Sequence, residues 1–347
     1  MSVATLNINL SSISKNWSYL HNLSPKSVAT AAVVKANAYG LGVDPIVSHL
    51  FYNGVKAFFV SSATEAVELR KILPTEVTIY YLNGYLIEDF QAVKDYNIIP
   101  VLNSLDQIEK FRLKHTTEPA ALQIDIGMNR LGLHPSEVLK AVNKSKSIKL
   151  SLIIGHLSSA DDKYDATNLS QLNLFSKLST IFSGIPKSLA ATGGILLGPE
   201  YHFDLTRPGI GIFGGKPLQN AAKVVTINLP ILQVKDIKKN DAVGYNHTFI
   251  SKTSKKIATV ASGYADGLSR QLSNSGVLYS ENIKCPIIGR VSMDLITVDI
   301  SDLPIIPSFL SVLSPTQTID DLAEQCSTIG YEILTSLGSR YKRVYHY

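Results

Sequence analysis

Between Thr30 and Phe213 the chain repeats one unit: a short apolar run, then a longer stretch whose apolar residues recur at helical spacing. Few folds accept that rhythm. The runs are Thr30–Lys35, Ala57–Ser61, Thr78–Leu82, Ile98–Leu102, Ala120–Ile126, Leu150–His156, Ser188–Thr192 and Asp204–Phe213. Between them lie helical patterns such as Ala63–Leu73, Ile87–Asp95, Ser104–Leu113, Ser136–Asn143 and Asn168–Phe182. Near-continuous apolar runs suit strands buried on both faces, and strand–helix alternation suits a parallel sheet. A doubly wound open sheet shows the same alternation. Eight units with no G-x-G-x-x-G after the first strand favour closure, so the expected fold is α/β, a (β/α)8 TIM-type barrel.

The texture changes near residue 225, where helical periodicity fades and β-branched residues punctuated by Gly, Asn and Ser take over. A mostly β C-terminal domain is expected over 226–347, after a barrel over 10–225. Its strands include Ile231–Ile237, Lys256–Ala261 and Ile296–Ile300; Ile319–Leu337 reads as helical, and Tyr341–Tyr347 as strand-like. Residues 4–9 alternate like a strand exposed on one face and are expected to join this second domain. Leu10–Leu23 reads as a helix, with Ser11 or Ser12 as its cap. No internal repeat or low-complexity segment stands out.

Composition excludes several classes of function. The net charge of +5 comes from 33 basic and 28 acidic residues without a long basic run, so nucleic acid is not implied. Cys285 and Cys326, the only cysteines, are too few for a disulfide scaffold and too far apart for a metal motif. No metal is expected. The start Met-Ser-Val-Ala-Thr lacks a signal pattern, and no apolar run is long enough to span a bilayer, so a cytoplasmic protein without a membrane partner is expected.

Unusual polar residues fall where the strands end. Lys35 ends the first run, Arg130 follows the fifth, His156 ends the sixth, Thr192 ends the seventh, and Arg207 lies within the eighth. Catalytic groups of such barrels gather at that rim, contributed by several strands. A lysine entering a buried region loses proton affinity, and its neutral amine becomes available for Schiff-base chemistry. A lone lysine at a strand end more often simply reaches out to water. Its surroundings have to decide.

The stretch Lys35-Ala36-Asn37-Ala38-Tyr39-Gly40-Leu41-Gly42, with Tyr39 one helical turn beyond Lys35, closely resembles the pyridoxal-phosphate attachment site of the alanine racemases. The resemblance implies that Lys35 carries the cofactor as a Schiff base and that Tyr39 helps hold its phosphate. Asp125-Ile126-Gly127-Met128-Asn129-Arg130-Leu131-Gly132 resembles the family's D-T-G-M-x-R-L-G, where the arginine faces the cofactor's phenolic oxygen and the substrate carboxylate. Gly155-His156-Leu157-Ser158-Ser159-Ala160-Asp161 resembles T-H-F-S-x-A-D, whose histidine can stack on the cofactor or hold a neighbouring donor. Thr206-Arg207-Pro208-Gly209-Ile210-Gly211-Ile212-Phe213-Gly214 resembles R-P-G-I-x-x-Y-G. Arginine only donates, so Arg207 opposite the pyridine nitrogen would leave it unprotonated and weaken the ring as an electron sink. The amides of Gly209 and Ile210, with Thr192, suit a phosphate cradle. The family's usual Asn-Ser is here Ala191-Thr192, which keeps the hydroxyl and loses the asparagine amide.

In the second domain, Val243-Gly244-Tyr245-Asn246-His247-Thr248 resembles V-S-Y-G-x-T, which brings the second catalytic base to the partner subunit's site, and Gly263-Tyr264-Ala265-Asp266-Gly267 matches a companion motif. A phenol of pKa about 10 needs cationic neighbours to act as a base near neutrality, such as Arg130, or His156 supported by Arg207. Gly289-Arg290-Val291-Ser292-Met293-Asp294 and Gly330-Tyr331-Glu332-Ile333 match a substrate-carboxylate contact at Met293 and a phosphate-contacting, entrance-lining Tyr331. The resemblance spans roughly Leu6 to Arg343. It implies a homodimer with shared active sites that interconverts L- and D-alanine, with Lys35 and Tyr245 as opposed bases, Met293 and Tyr264 beside the substrate, and D-alanine supplied for peptidoglycan. A broad-specificity racemase of the same family and a non-catalytic pyridoxal-phosphate-binding protein are the alternatives. One departure stands out: many members have a carbamylated lysine seven residues before the arginine, and this chain has Gln123 there.

Overall fold

A computed structural model describes residues 4–347. The barrel strands are β2 (Ala29–Thr30), β3 (Ala32–Val33), β4 (Ala57–Val60), β5 (Thr78–Tyr81), β6 (Ile99–Leu102), β7 (Pro119–Gln123), β8 (Lys149–Ile154), β9 (Lys187–Ser188) and β10 (Leu205–Thr206), following β1 (Thr5–Asn9). β3 to β9 form one parallel sheet in sequence order, and β10 pairs with β2 in parallel. The sheet closes on itself. β2 and β3 are two halves of one strand interrupted at Ala31, with Ala31 N–H donating to Thr206 O (2.9 Å) and Val34 N–H to Phe59 O (2.9 Å) on the other flank. Asp204 N–H to Lys187 O (3.0 Å) and Arg207 N–H to Ala190 O (2.8 Å) join the eighth strand position to the seventh. This is a TIM-type barrel whose interior is filled by side chains such as Phe59 and Tyr80, stacked with centroids 4.7 Å apart.

Several strands stop earlier than their apolar runs. Leu150–His156 is strand only to Ile154, Ala120–Ile126 only to Gln123, and Ser188–Thr192 only to Ser188, Thr192 already opening the helix Thr192–Leu197. In Asp204–Phe213 only Leu205–Thr206 pairs, and Ile210–Phe213 is a 3-10 turn. The reason is common to all four: rim loops bury their side chains as deeply as the strands do, so an apolar run reports burial rather than the hydrogen-bond ladder. The first helix, Leu10–Asn22, is capped by Asn9, which accepts from Ser12 N–H (2.6 Å); the cap is one element earlier than Ser11 or Ser12, in the last residue of β1.

The second domain holds β11 (Val225–Ile237), β12 (Ala242–Val243), β13 (Phe249–Ile250), β14 (Lys255–Val260), β15 (Val277–Ser280), β16 (Ile283–Pro286), β17 (Ile296–Asp299), β18 (Phe309–Leu313) and β19 (Lys342–His346). Its main sheet runs β16-β15-β18-β11-β1-β19, with β14 bridging β11 and β17. β1 lies antiparallel to β11 (Thr5 opposite Asn228) and parallel to β19 (Thr5 opposite Lys342), so the two ends of the chain share one sheet. The helical pattern Ile319–Leu337 is two helices, Ile319–Gln325 and Gly330–Thr335, separated where Ser327 takes φ +53°. The break turns Tyr331 toward Tyr39 of the barrel rim, ring centroids 6.0 Å apart.

Candidate active site

Lys35 does not end a strand. Beyond it, Ala36, Asn37, Ala38 and Tyr39 all sit at φ between 51° and 55°, so the turn to Tyr39 is left-handed. Such a conformation costs an L-residue roughly 1–2 kcal/mol, and four in succession persist only when neighbours fix them. They are fixed from both domains. Glu65 Oε1 accepts from Ala36 N–H (2.7 Å), Arg343 donates to Gly40 O through Nε (3.2 Å) and Nη2 (2.8 Å), and Tyr345 Oη donates to Leu41 O (2.9 Å). At Gly42, φ +99°, a Cβ would stand 2.0 Å from Tyr345 Oη, so only glycine fits.

The left-handed turn buries Tyr39 against Phe213, centroids 4.7 Å apart. A Cβ added to Gly209 would stand 2.3 Å from Tyr39 Oη, and the amides of Gly209 (3.1 Å) and Gly211 (3.3 Å) both donate to the buried hydroxyl of Thr192. Tyr39, Thr192, Gly209, buried Ile210 and Tyr331 thus meet at the ends of the last strands. Burial raises the Tyr39 phenol, with Tyr331 adding to it, and burial raises Tyr331 too, with Asp161 and Asp320 adding to it. Both stay protonated donors.

Across the rim, charge gathers around Lys35. Its amine is lowered chiefly by burial and then by Arg130, with Glu65 opposing. His156 keeps some contact with solvent, yet the protein closes around it; burial, then Arg207, Arg130 and Lys35, push it down to about 3, so it is a neutral imidazole near neutrality. Arg207 is buried, lowered to about 10 by desolvation and still cationic. Its Nη1 donates to Ser188 Oγ, and its Nη2 to Gly155 O (2.8 Å) and Leu189 O (3.4 Å). All three acceptors are neutral.

The loop bearing Arg130 is a closed nest. Asp125 Oδ1 accepts from Gly127 (2.9 Å), Met128 (3.0 Å) and Asn129 (3.1 Å), and a Cβ at Gly132 would lie 2.6 Å from Asp125 N. Arg130 itself is exposed and, among the described residues, makes no side-chain hydrogen bond or ion pair. The Gln123 amide donates to Leu131 O (2.9 Å), closing the base of that loop. The Gln123 side chain thus spans the loop, and it makes no hydrogen bond to Arg130.

The donor set fits pyridoxal phosphate: an amine of lowered proton affinity for the aldehyde, hydroxyls and amides for the phosphate, a buried donor-only arginine for the ring nitrogen. Comparison with known proteins points the same way. Residues 8–217 match the family described as "Alanine racemase, N-terminal domain" and residues 224–345 match "Alanine racemase, C-terminal domain". The chain belongs to the alanine racemase family. It is 45% identical to an alanine racemase of Cereibacter sphaeroides over 345 residues, 99% of each chain, and 42% identical to one of Rickettsia akari over 356 residues, again 99% of each. Among solved structures, an alanine racemase of Bartonella henselae with covalently bound pyridoxal phosphate superposes with TM-score 0.95 at 36% identity, covering 100% of both chains. The biosynthetic alanine racemase of Pseudomonas aeruginosa gives TM-score 0.92 at 27% identity, with the same coverage.

Three residues singled out from the sequence lie elsewhere. Tyr245 is 70% exposed on the tight connection between β12 and β13, Met293 is 53% exposed and Tyr264 44% exposed. Tyr264 and Met293 are neighbours, with Tyr264 N–H donating to Ser292 O and Ala265 N–H to Met293 O, both at 3.0 Å. Tyr245 is not among the groups that act on Lys35 within this chain. Other participants had escaped sequence reasoning: Glu65, Ser188, Arg343 and Tyr345. Arg343 and Tyr345 carried a usable signal, since residues two apart in a strand point to one face. Glu65 and Ser188 carried none, being ordinary first-turn and strand residues.

Among the described residues no group of His, Cys, Asp or Glu could hold a metal, and no helix is long and apolar enough to cross a membrane.

Proposed function

We propose that this chain is a pyridoxal-phosphate-dependent alanine racemase that interconverts L- and D-alanine by two-base proton transfer. The observation that carries the reading is the half-buried Lys35, its proton affinity lowered by burial and Arg130, on a barrel rim it shares with a neutral His156 and a buried Arg207. Lys35 would hold the cofactor covalently, Tyr39, Tyr331, Thr192 and the amides of Gly209 and Ile210 its phosphate, and Arg207 its ring nitrogen. When bound, the cofactor supplies the electron sink that acidifies the amino acid's Cα–H. Arg207 donates and cannot accept, so beside the ring nitrogen it would leave that nitrogen unprotonated and weaken the sink. Neutral His156 offers a flat face and no competing charge. Arg130 is free to pair with the substrate carboxylate and the phenolic oxygen, with Met293 and Tyr264 completing the substrate side.

Racemisation requires proton removal on one face of Cα and return on the other. Lys35 Nζ serves one face. Tyr245, exposed on the second domain, serves the other in a partner subunit, which makes the working unit a homodimer with shared sites. The division into a barrel over 10–225 and a β domain over 226–347 belongs to this reading. So does a place in the cytoplasm: Cys285 and Cys326 are both buried and unpaired, as a reducing compartment leaves them. D-alanine for peptidoglycan is the natural use of the product. The test is direct: the purified protein, given pyridoxal phosphate, should form D-alanine from L-alanine, and borohydride should fix the cofactor on the peptide containing Lys35. Fixation on another lysine, or turnover of serine or lysine in preference to alanine, would overturn the assignment.

A further inference from the structure

The left-handed turn after Lys35 has an N–H at its start, on Ala36, that a side chain from outside the turn satisfies: Glu65 Oε1 at 2.7 Å. The second oxygen of the same carboxylate accepts from Ser61 N–H (2.7 Å) and Ser61 Oγ (2.6 Å). Ser61 follows β4, which pairs with β3 beside Lys35. One carboxylate therefore joins the residue after Lys35 to the end of the adjacent barrel strand. Glu65 is the third residue of a helix capped by Ser62, whose hydroxyl accepts from Glu65 N–H (3.3 Å). In a capping box that glutamate would turn back to the cap's own N–H. Here it reaches past the cap, to Ser61 and Ala36, so it holds more than its helix.

We propose that Glu65 is the positioning residue of Lys35, fixing the left-handed turn through Ala36 and setting, as the anion beside the amine, how readily Lys35 gives up and takes a proton. The inference rests on Lys35 being the cofactor lysine. The groups acting on its charge are burial, Arg130 and Glu65, and Lys35 in turn acts on His156. Arg130 lowers the amine and His156 is neutral, so Glu65 is the group that opposes burial. Removing its charge lets the Lys35 amine fall further. The neutral base then appears at lower pH.

The test uses the holoenzyme and two variants, Glu65→Gln and Glu65→Ala, read by cofactor retention on dialysis, by kcat and KM in both directions, and by the acid limb of D-alanine turnover, the direction left to Lys35 when Tyr245 serves L-alanine. Glu65→Gln keeps an acceptor for Ala36 and loses the charge. It should retain the cofactor, move the acid limb to lower pH and, because its amide NH2 then faces the Ser61 N–H and loosens the bridge to β4, lower kcat by about ten- to a hundredfold, as expected for a small misplacement of a reacting group, with KM little changed. Glu65→Ala should also shed the cofactor faster than the wild-type protein. A Glu65→Gln variant with a wild-type acid limb and kcat, differing only in melting temperature, would overturn the proposal; if Glu65→Ala fails to fold, Glu65→Gln alone decides. Absence of borohydride fixation at Lys35 in the wild-type protein would instead overturn the functional reading.

Discussion

The barrel rim and the Tyr245 face of the second domain bring their functional side chains to very different states. At the rim, Tyr39, Thr192 and Arg207 are buried, and the polar groups of Thr192 and Arg207 are met within the chain. On the second domain, Tyr245, Tyr264 and Met293 stand in solvent, yet the backbone beneath the last two is tightly set. Arg340 grips Asp266 through two 2.7 Å bonds and Asp294 through one of 2.6 Å, and a Cβ at Gly263 would lie 2.3 Å from the carbonyls of Ser292 and Met293. A flexible loop needs no such bracing. The contrast teaches that the rim meets the polar groups of its buried residues within one chain and leaves Arg130 exposed, whereas the second face holds exposed side chains on a tightly braced backbone.

The largest effect is expected from Lys35→Ala: racemisation and the cofactor's protein-bound absorbance should vanish together, since the covalent link and one base are both lost. An unchanged spectrum would remove Lys35 from the rim's chemistry. Tyr245→Phe should leave cofactor binding intact and slow α-proton exchange from L-alanine by at least about a hundredfold, the usual weight of a general base. Normal exchange would mean that the exposed face takes no part.

Acid should act on the rim rather than on the exposed face. His156 binds its proton far less readily folded than unfolded, where an imidazole titrates at about 6.5, so between roughly that pH and about 3 the unfolded chain holds more protons. Stability then falls as pH drops through this window. Melting temperatures of wild type and His156→Asn, measured from pH 7 to 4, should converge at the acid end by comparison with their difference at pH 7; parallel curves would show that His156 is not held neutral. The smallest effect concerns Gln123. A primary amide cannot be carbamylated, and this one is engaged with Leu131 O, so activity should be indifferent to removal and return of bicarbonate. Loss of activity in CO2-free buffer, restored by bicarbonate, would show that the Arg130 loop is organised differently.

Much of this was legible in the residues. The eight apolar runs marked the eight strand positions, and Lys35, Arg130, His156, Thr192 and Arg207 stood out as polar residues in or just after those runs, in the segments that follow the strands, because burial on both faces leaves its trace in local order. Where those strands stop was not legible, since rim loops are apolar for the same reason as strands. The left-handed sense of the turn at 36–39 had no local signal either: alanines and a tyrosine prefer the right-handed form, and what reverses them is a carboxylate from residue 65 and a guanidinium and phenol from residues 343 and 345. In the same way Arg207 gives away its charge in its own letter but not the Ser188, Gly155 and Leu189 oxygens that keep it buried. Sequence order determined which chemistry the chain carries and on which elements; contacts between residues far apart in that order decided the conformation in which the chemistry is held, because only they supply enough energy to override what each residue prefers alone.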